Sequence, residues 1–117
     1  MSTYKLRFWF EHGGFCLWGM NEHAKAKYGY AIKNENLPIP YNLVVELNIL
    51  EKEYSTYLNW DSPADPSPWT NEQKSNFANK ANIAYEELKK ELGLEYEIEN
   101  QIDQCVDIGE DNQSYTK

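Results

Sequence analysis

Hydrophobic and polar residues alternate from Tyr4 to Glu11, with Leu6, Phe8 and Phe10 on one side and Lys5, Arg7, Trp9 and Glu11 on the other. A period of two marks a half-buried strand. His12-Gly13-Gly14 supplies a turn signal, and Phe15 to Met20 reads as the returning strand of a hairpin. Asn21 to Tyr28 fits two helical turns or a loop, and Tyr28 to Ile32 fits a short extended piece. Pro38 and Pro40 then hold the chain extended on its way into the next element.

From Tyr41 to Leu58 the period lengthens. Leu43, Val44, Leu47, Leu50, Tyr54, Tyr57 and Leu58 recur at three- and four-residue spacings and form one apolar stripe of a long helix. Val45 and Ile49 fall off that stripe, which points to a second contact surface or an exposed apolar edge. The helix is expected to end near Asn59, because Pro63, Pro66 and Pro68 follow. In that proline loop Asn59 and Asp61 are expected to accept bonds from backbone amides, and Trp60 and Trp69 to pin the loop to the core. A second helix is clearly punctuated. Thr70 and Gln73 spell a capping box, Phe77, Ala81, Ala84, Tyr85, Leu88 and Leu92 make its stripe, and Gly93 ends it. Leu94 is expected to fold back on Leu88.

Leu94 to Asn100 alternates again, with Leu94, Tyr96 and Ile98 facing one way and Glu95, Glu97 and Glu99 the other. The expected fold is α+β, in the order β-β-α-α-β: two long helices on one face of a small, mostly antiparallel sheet. Residues 1–102 make the single domain and 103–117 an acidic C-terminal tail. Beyond Ile102 only Cys105, Val106, Ile108 and Tyr115 could anchor the chain.

Composition narrows the function classes. The 117 residues carry a net charge of −8, and the segment 95–117 holds seven acids (Glu95, Glu97, Glu99, Asp103, Asp107, Glu110 and Asp111) against Lys117 alone. An acidic surface of this kind argues against nucleic acid as a direct partner and for a basic protein. With 41% apolar and 15% aromatic residues the chain can build a core. No apolar run approaches the about 20 residues of a membrane span, and the start, Met1-Ser2-Thr3-Tyr4-Lys5, lacks a signal-peptide core, so a cytoplasmic location is expected.

Candidate chemistry is sparse. His12 and His23 lack helical ligand spacing, and two cysteines cannot complete a four-ligand zinc site, so neither metal nor cofactor is expected. Cys16 reads as a small core residue, and Cys105 as a thiol whose ionisation neighbouring acids disfavour. No nucleophile elbow, phosphate-cradling glycine loop or two-histidine helix motif occurs, so no catalytic residue is assigned and the chain is not read as an enzyme. The most specific feature is the Glu95/Glu97/Glu99 row. Three like charges about 6.5–7 Å apart on one strand face repel unless something basic approaches. Glu95, Glu97, Glu99, Asp103 and Asp107 are therefore the expected partner-binding residues.

Several short motifs carry a resemblance: Leu6-Arg7-Phe8-Trp9, Cys16-Leu17-Trp18, Tyr28-Gly29-Tyr30, Leu37-Pro38, Leu58-Asn59-Trp60-Asp61 and Glu91 to Glu97. Over about Lys5 to Asn100 the chain resembles a family of small acidic bacterial proteins, with the Leu-Asn-Trp-Asp turn as its most specific part. That family is similar to the immunity proteins of polymorphic and contact-dependent growth inhibition toxin systems. The resemblance implies a protein that binds a cognate toxin domain, a basic nuclease, and occludes its active surface. The other reading of the residues is an interaction or regulatory module unrelated to toxins.

Overall fold

The alternation of the first segment produces strand β1, Tyr4–Phe8, in which Leu6 and Phe8 are fully buried while Lys5 and Arg7 stay half-buried. The structure is a computed structural model and describes residues 3–11, 14–57 and 67–106. Strand β2, Leu17–Gly19, pairs antiparallel with β1. The turn between them closes through Gly14 N–H to Glu11 O (3.1 Å) and Glu11 N–H to Phe15 O (3.2 Å), as the hairpin reading expects.

The ambiguous stretch resolves into a helix, α1, Glu22–Tyr28, and a short strand, β3, Ala31–Ile32, antiparallel to β2. Asn21 decides the helix: its Oδ1 accepts from Ala24 N (3.0 Å) and Lys5 N (3.2 Å), and its Nδ2 donates to Thr3 O (3.1 Å). One side chain thus caps α1 and fastens it to β1. Gly19 is required here, because a Cβ would stand 2.9 Å from the Gly29 carbonyl oxygen.

Helix α2, Tyr41–Tyr54, buries the expected Leu43, Val44, Leu47, Leu50 and Tyr54. It ends earlier than the proline positions suggest. The Ser55 and Thr56 hydroxyls donate to the Lys52 and Glu53 carbonyls (2.6 and 2.8 Å), and Ser55 N–H is shared between Glu51 O and Lys52 O. These bonds satisfy the last carbonyls and tighten the final turn. Trp69 is buried as expected, its Nε1 donating to Thr56 Oγ1 (2.8 Å) and its ring standing edge-on to Tyr54 and Tyr57. Leu58, Asn59, Trp60 and Asp61 lie outside the described residues.

Helix α3, Asn71–Leu92, begins at the capping box, with Gln73 N–H to Thr70 Oγ1 (3.1 Å) and Thr70 N–H to Gln73 Oε1 (2.7 Å). Gly93 ends it at φ +79. Leu94 does not fold back on Leu88. A 3-10 turn at Gly93–Glu95 redirects the chain and leaves Leu94 91% exposed. Strand β4 therefore spans Tyr96–Asn100, two residues shorter than the alternation suggests, with Ile98 buried.

Sheet order is β3-β2-β1-β4, and β4 runs parallel to β1. The observed sequence of elements, β-β-α-β-α-α-β, adds α1 and β3 to the expected order, and one of the three strand pairings is parallel. A parallel neighbour needs a long crossover, which α2 and α3 provide between the two sheet edges. The helices cover the face bearing Leu6, Phe8, Leu17, Ile32 and Ile98, and Phe10 joins the layers through ring contacts with Phe8, Tyr54 and Phe77. Packing continues through Val106. Phe10 N–H donates to Cys105 Sγ (3.1 Å), Tyr54 Oη–H donates to Cys105 O (2.6 Å), and Ile102, Cys105 and Val106 are buried. Among the described residues no helix is long and apolar enough to cross a membrane.

Candidate partner-binding face

The sheet's second face bears the other set of β1, β2 and β4 side chains. Register places Lys5 beside Glu97 and Arg7 beside Glu99 on β1 and β4, so these four side chains project from that face together with Trp18, the partner of Arg7 on β2. Glu97 and Glu99 are exposed. Glu95 is exposed too, but in the 3-10 turn before β4, where its carbonyl accepts from Thr3 N–H (2.8 Å). Asp103 is exposed in a further 3-10 turn, Ile102–Gln104. Asp107 lies outside the described residues.

The acidic row is thus flanked by a basic one that sequence reasoning did not place there. Among the described residues the side-chain ion pairs are Lys80–Glu53 and Lys89–Glu86, so Lys5 and Arg7 offset the row through space and not through closed salt bridges. Glu99 also accepts a hydrogen bond from Gln101 Nε2 at 2.6 Å. Arg7 is held elsewhere: its guanidinium lies 4.6 Å from the Trp9 ring centre and 5.9 Å from that of the buried Trp18, where the ring faces attract the cation. Trp18 Nε1 donates to Trp9 O (2.8 Å), and Phe15 and Tyr30 pack against the Trp18 ring. The clue to this patch was present in the outward set Lys5-Arg7-Trp9. Its neighbourhood with β4 depends on a pairing between residues some 90 positions apart.

Among the described residues the candidate groups do not come together. His23 is exposed on α1, and His12 lies outside the described residues. No cluster of three or more His, Cys, Asp or Glu able to hold a metal occurs among the described residues. Cys16 is fully buried, with Sγ 3.7 Å from Asn34 Oδ1; burial pushes its thiol well up, and the neighbouring Glu51 carboxylate adds to this. Asn34, the buried polar residue of the core, donates to Asn48 Oδ1 (2.9 Å) and Glu51 Oε2 (3.0 Å). Cys105 is pushed up to about 11, first by burial and less by Asp103. The sequence reading has the direction right and the leading cause wrong.

A model of the Serratia CdiI immunity protein-like family matches residues 4–101. The chain belongs to that family. The match runs from the first residue of β1 to the residue after β4, so it takes in every strand and α-helix described. No curated protein matches the sequence. Membership of a CdiI-like immunity family implies a toxin protein as partner. Of the acidic residues singled out, Glu95, Glu97 and Glu99 fall within the matched span, whereas Asp103 and Asp107 lie beyond it.

Proposed function

We propose that this chain is a cytoplasmic immunity protein that binds a contact-dependent growth inhibition toxin and neutralises it by covering its active surface, and that the toxin domain is a basic nuclease. The observation that carries this reading is the family match over residues 4–101. Charge supports a basic partner. The chain is at −8, and a nuclease must present cations wherever it holds phosphates. Exposed Glu95, Glu97, Glu99 and Asp103, with Asp107 after them, supply an attracting field. Because Lys5 and Arg7 stand beside Glu97 and Glu99, that field acts through the summed charge at a distance more than through tight pairs on the strand itself.

The reading assigns the chain no catalytic step. Both thiols are buried and protonated at neutral pH, and the exposed His23 has no described partner that would activate it. The test starts from the neighbouring reading frame: where it encodes a toxin domain, this chain should protect cells that express that domain. Wild type should restore growth, and the double variant His12→Ala/His23→Ala should do so equally well. A wild-type chain that gives no protection overturns the immunity reading. A folded double variant that loses protection overturns the non-enzymatic part.

A further inference from the structure

A groove of about 340 Å³ runs between α2 and α3 on the solvent side of the helix pair, lined by Val45, Glu46, Ile49, Glu53, Lys80 and Ile83. Ile49 and Ile83 are each 58% exposed. Neither belongs to the stripes that build the core, and β-branched residues are indifferent helix formers, so folding gives no reason for two isoleucines to face water side by side. Two exposed isoleucines lining one groove with a polar rim form a candidate contact site.

The rim identifies the occupant. Glu53 is paired with Lys80 at 2.8 Å, so the lysine's charge is already engaged. At the other end Glu46 lies beside Glu87 of α3, and burial together with that second carboxylate pushes its pKa above the usual carboxylate value. Glu46 on the groove's rim, with Glu87 near it, leaves that end acidic, so a cation brought by a partner is favoured there. A second copy of this chain would bring the same carboxylates and a net −8, and the chain's own 107–117 segment carries Asp107, Glu110 and Asp111. Like charge disfavours both.

We infer that this groove is where the toxin is gripped: it receives an apolar side chain from a basic toxin segment, whose lysine or arginine meets Glu46 and Glu87. The inference rests on the immunity reading and adds the contact surface to it. The chain's net charge of −8 favours the approach of a basic toxin, and the groove holds the complex.

The experiment measures association and dissociation of the purified chain with the toxin domain it protects against, using wild type, Ile49→Ser/Ile83→Ser and Glu46→Lys/Glu87→Lys. All four positions lie away from the core stripes, and thermal melts verify that the variants are folded. The serine pair should speed dissociation at least about tenfold with little change in association. The lysine pair should weaken binding at least as much. If wild type binds and protects while both variants dissociate at its rate, the groove is overturned and the immunity reading stands. If wild type protects against no neighbouring toxin domain, both fall. Sedimentation of the chain alone covers the remaining occupant: a dimer that the serine pair converts to monomer makes the groove a self-association site and overturns the inference.

Discussion

Cys105 lies with its Sγ against the Phe10 amide and its carbonyl under the Tyr54 hydroxyl, while Cys16 is enclosed with Asn34 and Glu51. With Cys105 at about 11, only about one thiol in a thousand is ionised at pH 8, and Cys16 is held higher than its ordinary value too. The native protein should therefore show no thiol reacting with an aromatic disulfide reagent at pH 8, and two reacting at once in denaturant. A single rapidly reacting thiol in the folded protein would refute the burial argument. Glu46 gives a pH signature. Its folded-state pKa is raised above 4.5, so the folded state holds this proton more tightly than the unfolded one. Its contribution to stability is present below pH 4.5 and is lost as pH rises through the raised value. Glu46→Gln should then gain melting temperature relative to wild type at pH 7 and lose that gain near pH 4. An equal offset at both pH values would show that the Glu46–Glu87 proximity has no energetic consequence.

At the scale of elements, local chemistry and long-range pairing separate cleanly. The Thr70/Gln73 box, the Gly93 stop and the α2 and α3 stripes were legible because each depends on residues within about one turn of the helix. Thr70→Ala removes the acceptor for Gln73 N–H and should cost about 1 kcal/mol, within the 0.5–2 kcal/mol of lost N-caps, measured by denaturant unfolding. A loss below about 0.3 kcal/mol would mean that the helix start is held by packing instead. Helix α1 was left open between two helical turns and a loop; Asn21 settles it as a helix, capping Ala24 N locally and tying it to Lys5 N and Thr3 O, sixteen and eighteen residues away. Leu94 misled for a related reason: the alternation is continuous from Leu94 to Glu99, but the 3-10 turn after Gly93 shifts where the strand begins.

For the molecule as a whole, the neighbour of β4 changes what its charges do. Glu97 and Glu99 read alone as a repelling row, and reversal to lysine would leave that repulsion unchanged. Beside Lys5 and Arg7 the reversal becomes unfavourable, because lysines there would oppose like charge across the strands. Glu95→Lys/Glu97→Lys/Glu99→Lys should therefore lose roughly 1 kcal/mol of stability while remaining folded. Its association with the toxin should slow strongly at low salt and much less at high salt, where the Debye length falls toward ~3 Å at 1 M. Unchanged association at both salts would reduce the acidic strand to an ordinary solvated face.

What the sequence determined by itself is therefore whatever repeats at short range: strand and helix periods, the capping box, the terminating glycine and the acidic balance. Its short motifs also pointed to the immunity family, which the match over residues 4–101 bears out at that coarse level. Tertiary structure alone decided that β4 lies parallel to β1, that Lys5 and Arg7 stand beside the acidic row, and that Ile49 and Ile83 meet across one groove. Each of these joins residues 34 or more positions apart. Spacing along the chain carries no information about such pairs, because which surfaces meet is set by the burial of the whole core.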